Sequence, residues 1–238
     1  CIRDRYIPVM LVVISATFFM VHAAPGGPFD DDRVASPEIL KQLNETYNLN
    51  DPLITQLGNY LVNAVQGDFG PSYKYPGRTV SELIASGLPI TVELAFYAIL
   101  FALLLGVLSG IIASLNPGKF LDYLPMSISM IGICVPSIIL GPILILFFGI
   151  WIDILPVSGW GEFSGDKILP TITLGSAYAA IFARLTRGGM LEILAQDFIR
   201  TARAKGLNET RVVFFHALRG GIMPTIGFLG PAIAGLFA

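Results

Sequence analysis

Apolar residues are gathered into five long runs: 7–24, 94–115, 124–150, 168–183 and 222–238 contain no Asp, Glu, Lys or Arg. A helix needs about 20 mainly apolar residues, with a range of roughly 17 to 25, to cross the hydrocarbon core of a bilayer, so each run predicts a span. The first run follows Arg3 and Arg5 and precedes small residues, as a signal peptide does. Four further apolar runs follow it in place of a secreted domain, which predicts an anchor that stays in the membrane. The run 124–150 is punctuated by Pro125, Pro136 and Pro142 and by Gly132, Gly141 and Gly149. A proline there frees backbone carbonyls, which suits either a pathway-lining helix or a kink needed for packing.

The polar intervals are unequal. Residues 25–93 are too long for a mere connection and carry helix signals of their own. Ser36-Pro37-Glu38 has the order of an N-cap, a first-turn proline and an acid, and Asp51-Pro52 repeats that opening. Leu53, Leu57, Tyr60, Leu61 and Ala64 then recur at helical spacing until Gly67. The predicted amphipathic helix is either a packing cap or a docking surface for an external partner.

Composition agrees with the pattern. Hydrophobic residues make up 54% of the 238 and charged residues 13%, against about 25% charged in an average soluble domain, and mean hydropathy is +0.70. These values exclude a disordered chain, a nucleic-acid-binding domain and a disulfide scaffold, and predict an all-α, polytopic transmembrane helix bundle. Cys1 and Cys134 cannot form a disulfide framework or a four-ligand zinc site, and Cys134 is expected to be a buried apolar filler. A start at Cys1 and an end at Ala238 inside an apolar run predict a piece of a longer chain.

The distribution of charge gives an orientation. With the amino terminus in the cytoplasm, the inner segments 1–6, 116–123 and 184–221 hold 10 Lys and Arg, whereas the outer segments 25–93 and 151–167 hold 5 against 12 Asp and Glu. The expected organisation is an amino-terminal stub and first span at 1–24, an outer loop at 25–93, and a core at 94–238 with a cytoplasmic loop at 184–221.

That loop is the most informative stretch. In Gln196–Gly221, Asp197 is placed to cap a helix whose Thr201, Ala202 and Ala204 make a small-residue face. Arg203 and Lys205 suit its carbonyl end and Gly206 stops it. Asn208 is then an N-cap, with Leu207 and Val212 at the two positions of a hydrophobic staple. The second helix is expected to run through Phe215 and His216 to Gly220-Gly221. The pattern fits a rigid knob for another protein to push, or a basic loop that merely obeys the positive-inside rule.

FIRTARAKGL at 198–207, HALR at 216–219 and Pro224 resemble the coupling loop of permease subunits of ABC importers, in the oligopeptide and dipeptide branch. HAAPGGPF at 22–29, LNDP at 49–52, GDFGPSYKY at 67–75 and ARLTRGGMLEIL at 183–194 occur in the same family order. The resemblance is closest to the B-type peptide permease. It implies the type I ABC importer permease fold, with a sixth span beyond residue 238. It also implies a second permease subunit, two cytoplasmic ABC ATPases that bind the ATP and Mg, an extracytoplasmic peptide-binding protein and residence in the bacterial inner membrane. The ATPase-coupling residues it implies are Arg200, Thr201, Ala202, Arg203, Ala204, Lys205, Gly206, Leu207, Asn208, Phe215 and His216. The wider family opens this corner with Glu-Ala-Ala, where Arg200, Thr201 and Ala202 stand here.

No GxxxxGK[ST] phosphate loop and no HExxH occur, so neither ATP hydrolysis nor zinc proteolysis has a candidate in this chain, and no catalytic, cofactor-binding or metal-ligating residue is assigned. Glu93 is expected to be a solvated carboxylate near the outer interface. Nickel and glutathione permeases share the pattern. An ion-gradient-driven transporter would require inverted repeats and intramembrane charge, neither of which is evident, and a membrane scaffold without a transport role is a third class.

Overall fold

The computed structural model describes residues 3–23, 51–72, 75, 77–163 and 165–237. The expected cap at Ser36-Pro37-Glu38 lies outside the described residues. Backbone contacts divide the chain into two units, Cys1–Leu88 and Pro89–Ala238. Among the described residues the fold is all-α, apart from one isolated antiparallel bridge between Pro71 and Thr79.

In the first unit, α1 (Arg3–Ala23) is the first apolar run and α2 (Leu53–Val65) is the expected amphipathic helix. Tyr60 of α2 lies beside Phe18 of α1, with ring centroids 6.5 Å apart. Helix α2 opens one residue later than expected: Pro52 is its N-cap, and no side-chain cap bond forms. It ends as expected, with Gly67 at φ +81° accepting the left-handed conformation.

Helix α3 (Val80–Leu115) begins well before its apolar run. Its 36 residues are about 54 Å long at 1.5 Å per residue. The early start has a local cause in a reciprocal capping box. The Glu82 amide donates to Thr79 Oγ1 at 3.2 Å, and the Thr79 amide donates to Glu82 Oε2 at 3.2 Å.

The second unit carries the remaining elements. The run expected as one span at 124–150 is broken. Helix α4 (Phe120–Cys134) and helix α5 (Ser137–Trp151, π-helical from Ile145) meet at an angle of 107°. Pro136 has no amide hydrogen to continue the ladder, and Val135 takes an extended ψ of 114°. Helix α6 (Ile168–Leu194) runs past its apolar stretch and takes Arg184 and Arg187 into its last turns. It is followed by α7 (Asp197–Ala204), α8 (Glu209–Gly221) and α9 (Met223–Leu236), the last two bent by 48°. Among the described residues three helices are long and apolar enough to cross a membrane, or up to five spans if each bent pair counts as one.

Small residues let α6 serve as the central post of this unit. An added Cβ at Gly106 of α3 would lie 2.6 Å from the Ala179 carbonyl oxygen, and one at Gly132 of α4 would lie 2.5 Å from that of Ser176. Such contacts bring backbones together where lipid gives no hydrophobic drive between helices. Thr186 of α6 and Thr225 of α9, both fully buried, share a hydroxyl hydrogen bond of 2.8 Å.

Candidate functional site

The corner between α7 and α8 has the geometry its sequence predicts. Gly206 stands at φ +77°, which costs an L-residue about 1 kcal/mol, and an added Cβ there meets nothing within 4 Å. The restriction at this position is therefore one of backbone conformation and not of space. The Asn208 side chain caps α8 by accepting from the Arg211 amide at 2.9 Å. Leu207 packs on the cluster that contains Val212, as a staple requires. Arg203 closes the corner by donating from Nε to Glu209 Oε1 at 2.8 Å and from Nη2 to Oε2 at 3.2 Å. That bidentate carboxylate raises the pKa of Arg203 further, so the clamp on the arginine side is charged at any working pH.

The underside of the corner is a hydrophobic core. Ile199 and Ala202 of α7 meet Val212, Val213 and Ala217 of α8 together with Met190 of α6 and Ile111 of α3. This corrects one expectation: Ala202 was placed on the approachable small-residue face, but it is only 7% exposed and turns inward. Asp197 also differs, as Gln196 is the N-cap and Asp197 is the first helical residue, its carboxylate 3.4 Å from Arg200. Thr201, Ala204, Lys205, Asn208, Phe215 and His216 are exposed, together with Arg200 and Arg203, whereas Leu207 is half-buried. Phe198 and Phe214, not singled out from the sequence, also present their rings to the outside. A period of three to four with Ile199 and Ala202 on one side would have indicated it.

The corner is fastened to the bundle. Gly189 of α6 and Gly221 of α8 touch backbone to backbone, and a Cβ on Gly221 would lie 2.5 Å from Met190 Sδ. One turn back along α6, Arg187 donates from Nε to Asp122 Oδ1 at 2.6 Å and from Nη2 to Oδ2 at 2.7 Å. The Gly118 amide donates to the same carboxylate at 2.9 Å, and Asp122 is only 3% exposed. This pair joins the start of α4 to the end of α6. The sequence offered only two interface charges 65 positions apart, without a sign that they meet.

At the opposite end of α6, Lys167 pairs with Glu93 of α3 and lies 5.4 Å from the ring centroid of Trp160 and 5.9 Å from that of Tyr97. Trp160 Nε1 donates to the same carboxylate at 3.2 Å. Glu93 thus keeps a side chain 36% exposed, in line with the solvated carboxylate expected, and is ion-paired in addition. Its hydrogen bond and charge raise the pKa of Lys167 and keep the ammonium protonated.

A family model described as binding-protein-dependent transport system inner membrane component matches residues 102–238. The oligopeptide transport system permease protein OppB of Haemophilus influenzae is 43% identical over 97% of this chain and 76% of its own length. OppB of Escherichia coli K12 is 42% identical over the same shares, and the dipeptide transport system permease protein DppB of Bacillus subtilis is 40% identical over 95% and 73%.

Proposed function

Because the chain belongs to the family of binding-protein-dependent transport system inner membrane components, in its oligopeptide and dipeptide permease branch, we propose that it forms half of an ATP-driven import pathway for peptides. The other half is a second permease subunit. Two cytoplasmic ATPases bind ATP and Mg and act on the α7–α8 corner, and an extracytoplasmic binding protein delivers the peptide. The observation that carries this reading is the corner itself: a glycine turn clamped by Arg203–Glu209, capped by Asn208 and cored by Ile199 and Val212. Packed interiors transmit displacement, so a push on such a knob moves α6 and, through Arg187–Asp122 and Thr186–Thr225, the starts of α4 and α9.

The exposed Thr201 and Ala204 are the positions for contact with an ATPase. With native Cys134, which is exposed and not the buried filler expected, replaced by Ser, cysteines at these two positions are expected to crosslink to the ATPase in the assembled importer. If positions 198–215 give no crosslink while positions of the 25–93 segment capture the ATPase, the partner assignment fails. The amino terminus is assigned to the cytoplasm on charge, so an impermeant thiol reagent on intact cells should label Gly161→Cys and spare Lys205→Cys. Equal labelling would reject the orientation.

Gly206→Leu tests the corner by function. The side chain has room but the backbone resists it, so protein should remain in the membrane while peptide uptake per ATP falls. Gly206→Asn should retain more uptake, since Asn tolerates the left-handed region better than Leu. Full coupling in Gly206→Leu would mean that the corner angle is not what the ATPase uses.

A further inference from the structure

The break between α4 and α5 opens a cavity of about 370 Å³, within the roughly 300–1,000 Å³ range of small-ligand sites. Its lining carries no Asp, Glu, Lys or Arg, and includes Gly132, Pro136, Ser137, Thr173, Tyr178 and Gly235. Three residues of this lining carry a polar group with bonding capacity to spare. Pro136 has no amide hydrogen, so the Gly132 carbonyl lacks the i+4 donor it would have in an unbroken helix. The Ser137 and Tyr178 hydroxyls make no hydrogen bond with any described residue, whereas the neighbouring Thr173 hydroxyl donates to the Leu169 carbonyl at 2.7 Å.

Tyr178 is the fixed element of the three. Its ring packs on the cluster of Ala102, Ala179, Phe182 and Ala232. Its hydroxyl lies only 2.6 Å from where a Cβ on Gly235 would stand, so glycine at 235 keeps that space open. It also lies ten residues into the 27-residue α6, or about 15 Å along its axis, half the thickness of a hydrocarbon core of about 30 Å.

We infer that this cavity holds the main chain of a peptide in transit, with the Gly132 carbonyl accepting a peptide N–H and the Tyr178 and Ser137 hydroxyls serving peptide carbonyls. The inference rests on the peptide-import reading above and deepens it. A peptide of any sequence offers the same amide groups, so an uncharged site built from one carbonyl and two hydroxyls selects the peptide bond and ignores side-chain charge.

The test uses the full-length protein assembled with its second permease and ATPases in lipid vesicles, without the binding protein, and measures equilibrium binding of radiolabelled trialanine. Tyr178→Phe and Ser137→Ala should each weaken the Kd by about three- to ten-fold, the span expected for one neutral hydrogen bond. Trialanine methylated at its central amide nitrogen should bind the unaltered complex more weakly by a similar factor, because the Gly132 carbonyl then loses its donor. Wild-type affinity in both variants, or no binding of trialanine by the unaltered complex, overturns the site and indicates that other parts of the assembly fill the cavity. Intact binding and intact variant effects without ATP-driven uptake on adding the binding protein would instead overturn the import reading and leave the site standing.

Discussion

Gly110→Leu is expected to remove most of the protein from the membrane fraction. A Cβ at this position would stand 2.7 Å from both the Ala183 carbonyl oxygen and Thr186 Cβ and 3.0 Å from the Arg187 nitrogen. Backbone cannot rotate aside as a long side chain can, so α3 and α6 must separate along the whole contact that includes Gly106. Overpacking of this kind costs about 1–3 kcal/mol or more, and the close approach that holds two helices together in lipid is lost with it. The control is Gly188→Leu on α6, where an added Cβ meets nothing within 4 Å. Quantitative immunoblots of membranes and thermal unfolding in detergent separate the two. Equal amounts and equal midpoints for both variants would mean that the α3–α6 contact is not as close as described.

Arg187→Met is expected to be the next most damaging substitution, and worse than Asp122→Asn. It strands a carboxylate that is 3% exposed with only the Gly118 amide for a partner. Asp122→Asn leaves an arginine whose side chain is 32% exposed and can turn to water. Removing one member of a buried pair costs more than the pair contributes, because the survivor is left unsatisfied. For the same reason the double variant Asp122→Leu/Arg187→Met should unfold at a higher temperature than Arg187→Met alone. If the double variant is the least stable of the three, desolvation of the carboxylate is not what the pair offsets.

These two contacts also mark where the sequence stops being legible. Apolar runs located α1, the inner part of α3, α6 and α9, because contact with lipid demands apolar side chains continuously. The same measure could not see α3 starting at Val80 or α6 running on to Leu194, since helical hydrogen bonding continues through polar residues once a cap such as Thr79–Glu82 is in place. Gly206 and Asn208 were legible because each acts on its own few neighbours. Ala202 was misplaced because the face of an eight-residue helix is set by what packs beneath it, here Met190 and Val212. Pro136 marks an interruption in the sequence, but neither the 107° between the two helices nor the close approach of Gly132 to Ser176 of another helix is written in the local pattern. Lys167 and Arg187 were tallied for orientation by sign alone, which discards the partner that each one finds.

Those two cations have a further geometric meaning. They are 20 residues apart on one helix, hence about 30 Å, the thickness of a bilayer's hydrocarbon core. The Glu93–Lys167 and Asp122–Arg187 pairs are therefore two rungs, one at each edge of the apolar slab. The chain leaves the second rung at Asp122 and reaches the first at Lys167, so the sharply bent α4–α5 makes a net crossing and does not return to the edge it left. Sidedness after the bend is thereby inverted, as an unbroken span would invert it.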